Sequence, residues 1–335
     1  MRILFDLRST GLGNNGGSHT IVRSANTLVD LKHEVILVDS IKNHYNWTPL
    51  KARHLIVKDK NEVPSADIVV ATGFRSVART LTLPERCGVK CHWIRAIETW
   101  QMSEREIIEK VLKVPTFKIV NSICLKNYLS KHGQSSKIIR PGYDFDEIYP
   151  LNMRDQRIPI LGALYREGVH GRRKRTEWVF EAAEKTKRFF PGTKLLLFGS
   201  EPKPKARPAI DKYFRSPSIE EKNKIYNMVN IWLAPTKSEG LHLPPAEAMM
   251  TGCPVVATNA ELSGTQDYVE HEVTGLVSKN DLHSFFKSIQ RLIDDKDLRI
   301  DLGKNTRGKI ESLGDRKDNM MKMIDLFNRL TSGSN

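Results

Sequence analysis

The chain has little cysteine: four residues in 335, at positions 87, 91, 124 and 253. A disulfide framework needs a denser set, so reduced thiols in a reducing compartment, the cytoplasm, are expected. Cys87 and Cys91 are close enough to form half of a metal site, but no second ligand pair or histidine cluster completes it. No run of about 18 apolar residues exists, so no membrane-spanning helix is expected. The opening MRILFDLRST is too short and too charged for a signal peptide and reads as a first strand. Internal repeats and low-complexity segments are missing. Acidic residues are outnumbered 39 to 53, for a net charge of +14. That balance suits nucleic acid, anionic lipid headgroups or a phosphorylated ligand. The basic residues are widely spread and no nucleic-acid-binding motif accompanies them, which disfavours nucleic acid.

What is present is an alternation of apolar runs and amphipathic segments, long enough for two α/β cores. In the first half, strands are expected at 1–5, 34–38, 66–71, 90–94 and 117–122, with helices from Ser18 to about Leu31 and from Cys124 to Lys131. The loop Gly11–Gly17 contains G-x-G-x-x-G, and Asp39 closes the next strand. A dinucleotide fingerprint needs its first glycine at the strand end, whereas Asp6 to Thr10 intervene, so a nicotinamide enzyme is disfavoured. Ligands of open α/β sheets sit beyond the carboxyl ends of strands, which makes Gly73, Arg95 and Glu98 candidate lining residues. His92 lies inside its strand and reads as core. Ser103 and Glu106 form a capping box before Ile107, Ile108, Val111 and Leu112 on one face. Core packing is the first reading of that face, and docking on an anionic membrane surface the alternative.

In the second half, strands are expected at 157–164, 194–198, 231–234, 254–258 and 272–277. Helices are expected at 176–189, 219–228, 281–293, 297–304 and 315–330. Tyr165 to Arg175 reads as a basic loop containing Arg172-Arg173-Lys174-Arg175. The densest chemistry lies between 235 and 259. A loop carries Glu239-Gly240-Leu241-His242, Pro244-Pro245 open a helix through Met250, and Gly252 stops it. A helix N-terminus aimed at such a loop favours anions. Glu239 and Glu247 flank it with seven residues between them.

The run Glu239 to Val256, EGLHLPPAEAMMTGCPVV, resembles the signature E-G-x-x-L-P-x-x-E-A-M-x-x-G-x-P-V-V of the retaining glycosyltransferases of family 4. It departs from the family at His242, where glycine is usual. Gly16-Gly17 resemble the family's glycine pair, the stretch from Ile138 to Pro150 its interdomain segment, and Glu272 to Val277 its following strand. The resemblance implies an α/β, GT-B architecture, with two Rossmann-like domains facing a cleft. Residues 1–151 would hold the acceptor and 152–314 a nucleotide-diphosphate sugar, with helix 315–335 packing back on the first domain. It implies transfer of a sugar to an acceptor hydroxyl, carbohydrate or lipid-linked, with retained configuration, in glycan or glycolipid synthesis.

By the same resemblance Glu239 faces the donor sugar, and Arg166 and Lys174 stabilise the leaving phosphate, with Arg172 and Arg173 as rivals. Glu247 accepts from the ribose hydroxyls, and Gly16, Gly17, Gly240, Leu241, His242 and Leu243 border the donor. Asp144-Phe145-Asp146 spells a metal motif of another glycosyltransferase fold, but its place in the linker argues for coincidence. No cofactor and no required metal are therefore expected. The rival readings are a nucleotide-sugar-binding protein without transfer, and a nucleic-acid-binding or nucleic-acid-modifying protein.

Overall fold

A computed structural model describes residues 1–8, 10–13, 15–41, 48–205, 207 and 209–333. Asn14 of the glycine-rich loop lies outside the described residues. The chain forms two compact units, Met1–Gly142 with Asp315–Asn335, and Tyr143–Gly314. The second unit begins before residue 152 because the preceding segment is built into it. Tyr143 and Ile148 are buried in its core. Asn223 and Asn227 accept the backbone N–H groups of Tyr149 and Leu151 at 3.1 and 2.6 Å.

The strands of the first unit are β1 (Arg2–Asp6), β2 (Glu34–Asp39), β3 (Arg53–Ile56), β4 (Ile68–Ala71), β5 (Val89–Ile94), β6 (Phe117–Val120) and β7 (Lys137–Ile138). They form one sheet in the order β3-β2-β1-β4-β5-β6-β7, parallel throughout. Its helices are α1 (Gly16–Asp30), α2 (Phe74–Leu81), α3 (Glu104–Ile107) and α4 (Ile123–Lys131). Alternate residues of β1 point to opposite faces: Ile3 and Phe5 enter one core cluster, Leu4 another. Burial on both faces is why these parallel strands read as unbroken apolar runs.

Three local details differ from expectation. Gly16 and Gly17 lie in the first turn of α1, and the cap is Asn15, whose side chain accepts from Ser18 N at 3.0 Å. The strand β3 and the helix α2 also lie where none is expected. After α3 the chain runs through a π turn, Ile108–Leu112. Ile107, Val111 and Leu112 are buried there, so this apolar face is occupied by the unit's own interior.

The second unit repeats the same arrangement. Its strands are β8 (Ile160–Leu164), β9 (Lys194–Gly199), β10 (Lys212–Arg215), β11 (Ile231–Ala234), β12 (Ser238–Glu239), β13 (Val255–Thr258), β14 (Leu262–Ser263) and β15 (Gly275–Ser278). Six form a parallel sheet in the order β10-β9-β8-β11-β13-β15, and β12 pairs with β14 alone. The helices are α5 (Gly168–Lys174), α6 (Thr176–Phe189), α7 (Ile219–Met228), α8 (Leu243–Met250), α9 (Leu282–Asp294) and α10 (Lys296–Glu311). Trp232 and Ala234 of β11 pack on one side of the sheet, Ile231 and Leu233 on the other.

The last helix, α11 (Arg316–Thr331), belongs to the first unit. Its Met320, Met323, Leu326 and Phe327 share a core cluster with Ile21, Val22, Ala25 and Leu28 of α1. Gly142, at φ +79°, lets the chain pass close by: a Cβ there would lie 2.3 Å from the Arg316 Cα. Arg316 also donates to the Pro141 carbonyl at 3.1 Å. Among the described residues no helix is long and apolar enough to cross a membrane.

In each sheet the strand order reverses beside its first strand, between β1 and β4 and between β8 and β11. Loops leaving the carboxyl ends of those two strands diverge, and the gap they leave is where open α/β sheets hold ligands.

Candidate functional site

At the reversal point of the second sheet, the segment after β8 meets the segment after β11. The basic segment after β8 is not a loop. Its residues 168–174 form α5, and Arg175 takes the left-handed conformation (φ 53°, ψ 49°) that separates α5 from α6. Arg175 is held by stacking over Trp178, 4.1 Å from the ring centroid, and by donating to the Pro235 carbonyl at 3.2 Å. The basic residues therefore stand on a rigid turn. Arg172 faces solvent, while Arg173 and Lys174 turn toward β12.

Four contacts fasten α5 to the Glu239 loop. Lys237 N donates to the Arg173 carbonyl at 2.8 Å, and Arg173 Nη2 donates to the Ser238 carbonyl at 3.0 Å. Lys174 Nζ lies 3.0 Å from Glu239 Oε1, with Arg173 Nη2 at 3.7 Å from the same oxygen. Burial alone would raise the Glu239 carboxyl, but Lys174, then His242 and Arg173, prevail and hold it at about 2. Burial lowers the Lys174 ammonium, against the pull of Glu239. Arg166, the other expected cation, sits at the edge of this cluster and pairs with Glu201 at 2.7 Å. The residue paired with Glu239 beside Lys174 is thus Arg173. His170, which the sequence reading did not single out, lies 3.5 Å from Arg173 Nη1, and burial followed by the nearby cations lowers its pKa.

His242 breaks the glycine pattern at a left-handed position, φ 59° and ψ 68°, as the N-cap residue of α8. Histidine is among the few residue types enriched in that region, although it is strained there relative to glycine. The side chain is buried, with Nδ1 3.2 Å from Thr236 Oγ1, and its carbonyl accepts from Tyr268 Oη at 2.6 Å. Burial, reinforced by Lys174, lowers the imidazole to about 3, so it is neutral at pH 7. A neutral ring places no further positive charge beside the ion pair.

Helix α8 starts at Leu243, and its first turn carries Pro244 and Pro245. Proline has no N–H, so this helix end offers fewer free donors than an ordinary one. An anion placed there would meet loop amides and the side chains of Lys174 and Arg173 rather than a full set of helix N–H groups. Leu241 is buried in the core, so only its backbone can border a ligand. Glu247 stands in the second turn of α8, and its Oε2 accepts from Tyr226 Oη at 2.6 Å.

The loop is also braced from beneath by Gly264. A Cβ on Gly264 would lie 2.2 Å from the Gly240 carbonyl oxygen and 2.6 Å from the Leu241 Cα. Backbone cannot retreat as the tip of a side chain can. Gly264→Ala is expected to destabilise the second unit by about 1–3 kcal/mol, seen as a lower denaturation midpoint. An unchanged midpoint would show that the loop yields freely.

In the first unit, Gly17, Gly73, Arg95 and Glu98 come together at the reversal point. Arg95 donates through Nη1 to the Gly17 carbonyl at 2.5 Å and through Nη2 to the Thr72 carbonyl. Burial lowers it to about 10, with Glu98 opposing. Its two terminal nitrogens thus brace α1 against the end of β4. Glu98 Oε2 accepts from Phe74 N, at the start of α2, at 3.3 Å. A Cβ on Gly73 would lie 2.7 Å from Thr10 Cγ2, and one on Gly17 3.2 Å from Arg95 Nη1, while Gly16 has open space. His92 is fully buried, edge-on to Phe74 at 5.7 Å, and burial lowers it to about 3.

Residues 157–295 match the family described as glycosyl transferases group 1. Over 95 residues, 28% of this chain and 24% of the relative, the chain is 33% identical to the capsular polysaccharide biosynthesis glycosyltransferase CapM of Staphylococcus aureus. Over 112 residues, 33% of this chain and 27% of the relative, it is 33% identical to the UDP-Gal:alpha-D-GlcNAc-diphosphoundecaprenol alpha-1,3-galactosyltransferase of Escherichia coli. The aligned stretches thus span about a quarter of these curated relatives. Likeness to solved structures runs over almost the whole chain. Sucrose-phosphate synthase from Thermosynechococcus elongatus superposes with a TM-score of 0.76 at 17% identity, covering 99% of this chain and 100% of that one. Anabaena Alr3699/HepE in complex with UDP-glucose does so with a TM-score of 0.77 at 13% identity, covering 98% and 99%. These likenesses establish the fold, which is GT-B.

Proposed function

We propose that the protein is a retaining glycosyltransferase that moves a sugar from a nucleotide-diphosphate sugar to an acceptor hydroxyl in glycan synthesis. The observation that carries this reading is the Lys174–Arg173–Glu239 cluster, fixed at the reversal point of the second sheet beside α8 and Glu247. Breaking a sugar–diphosphate bond leaves negative charge on the departing phosphate. Cations already held in place stabilise that charge as it develops, without reorganising. Lys174 and Arg173 are such cations, and they fill this role without a metal ion or cofactor. Loop amides at Gly240 to Leu243 border the diphosphate, and Glu247 accepts from the ribose hydroxyls.

Two routes lead to retention: attack from the leaving-group face, or double displacement with Glu239 as nucleophile. A carboxylate held at about 2 by its basic neighbours is a weak nucleophile, which favours the first route. Glu239 then anchors the cations and contacts the sugar hydroxyls. The acceptor is a carbohydrate or a lipid-linked glycan, a class to which the diphosphoundecaprenol named for the E. coli relative belongs. The protein would act from the cytoplasm.

A screen over UDP-, GDP- and dTDP-sugars tests this reading, by thermal shift and by release of the nucleoside diphosphate. One nucleotide class is expected to raise the melting temperature by several degrees at millimolar concentration and to be slowly hydrolysed. Tight nucleotide binding with no turnover on any donor or acceptor would favour a binding protein that has lost transfer. No shift with any donor would remove the reading altogether.

A further inference from the structure

We infer that Tyr226 is a positioning residue, which holds Glu247 so that its second carboxylate oxygen is presented to the ribose hydroxyls of a nucleotide donor. This rests on the donor reading given above. Tyr226 is fully buried in α7, with its hydroxyl 2.6 Å from Glu247 Oε2. The ring is fixed on two further sides, edge-on to Phe198 at 5.7 Å and tilted against Trp232 at 5.1 Å between centroids. A hydroxyl on so constrained a ring has little freedom to follow another partner.

The direction of the hydrogen bond is set by chemistry. Burial and then the neighbouring Glu247 raise the phenol well above its ordinary range, so it keeps its proton and donates. An ionised carboxylate only accepts. With Oε2 engaged by Tyr226, Oε1 keeps both lone pairs for two vicinal hydroxyls. Glu247 itself is half-buried at the surface of α8, and its side chain has several torsions that would otherwise be free. Fixing that carboxylate before the ligand arrives lowers the ordering cost of binding. The consequence is selective: it bears on the ribose hydroxyls, and not on the base or the diphosphate.

Tyr226→Phe keeps the ring packing and removes only the hydroxyl. The probes are UDP, ADP and GDP, of which the parent's tightest binder is chosen, and the 2′,3′-dideoxy counterpart of that nucleotide. The parent is expected to favour the ribonucleotide by about 100-fold, and Glu247→Ala to lose that preference. In Tyr226→Phe, affinity for the ribonucleotide should fall about tenfold while affinity for the dideoxy form stays at the parent's value. A preference equal to or larger than the parent's overturns the inference. So does an equal loss for both nucleotides, which would make Tyr226 a general scaffold residue. If the parent shows no ribose preference, or Glu247→Ala keeps it, the ribose reading of Glu247 fails first and this inference falls with it. A melting temperature within a few degrees of the parent's shows that the variant is folded.

Discussion

Lys174→Ala is expected to lower turnover about 10²- to 10³-fold, with a much smaller change in donor affinity. That is the size of loss seen when one fixed group stabilising transition-state charge is removed. The charge on the leaving diphosphate is greatest at the transition state, so its loss falls on kcat more than on binding. The same substitution leaves Glu239, with a side chain only 19% exposed, without its nearest cation. An orphaned buried charge costs about 3–5 kcal/mol, less whatever Arg173 recovers from 3.7 Å. The carboxyl of Glu239 should then rise from about 2. Removing both partners, Lys174→Met with Glu239→Leu, should restore much of the stability and none of the turnover. Arg172→Ala, at a solvent-facing position, should leave turnover within about twofold. Kinetics and denaturation midpoints on these variants decide the assignment. A turnover for Lys174→Ala within tenfold of the parent, with the large loss appearing in Arg173→Ala, would transfer the role to Arg173.

Glu247→Ala is expected to weaken nucleotide-sugar binding by about 100-fold or more while the unit stays folded. A carboxylate accepting from two hydroxyls makes charge-assisted hydrogen bonds, each worth about 1.5–3 kcal/mol. Two lost together reach that factor. The structural cost is of a different kind. Without Glu247, the hydroxyl of the buried Tyr226 loses its acceptor, worth about 1–3 kcal/mol. Adding Tyr226→Phe to Glu247→Ala should recover part of this, since both polar groups are then gone. Titration calorimetry separates the two effects, because affinity should not recover with stability. Donor binding unchanged in Glu247→Ala would end the ribose assignment.

Much of this fold can be read from the chain because parallel strands buried on both faces are apolar throughout. ADIVVA, KLLLF and IWLA each announce a strand without structural help. The segment GVHGRRK does not announce α5, since two glycines and three cations leave no apolar period to detect. Arg95 stands out as a cation at a strand end, but whether its guanidinium meets a ligand or two carbonyls depends on how α1 folds back over it. At His242 the departure from glycine is visible, whereas the left-handed backbone that makes glycine the easier residue there is a property of three dimensions. Tyr226 is the least legible of the site residues. It is an aromatic on an ordinary amphipathic helix, 21 residues before the glutamate it touches.

The return of α11 to the first unit also sets an order of events during synthesis. Translation runs from the N-terminal side to the C-terminal side, and domains tend to fold as units as they emerge. The second unit is one continuous stretch, so it can close its core when Gly314 has been made. The first unit, though begun earlier, waits for Met320, Met323, Leu326 and Phe327 to cover Ile21, Val22, Ala25 and Leu28. Until then it carries an open apolar face, so that of the two units the one begun first is the one completed last.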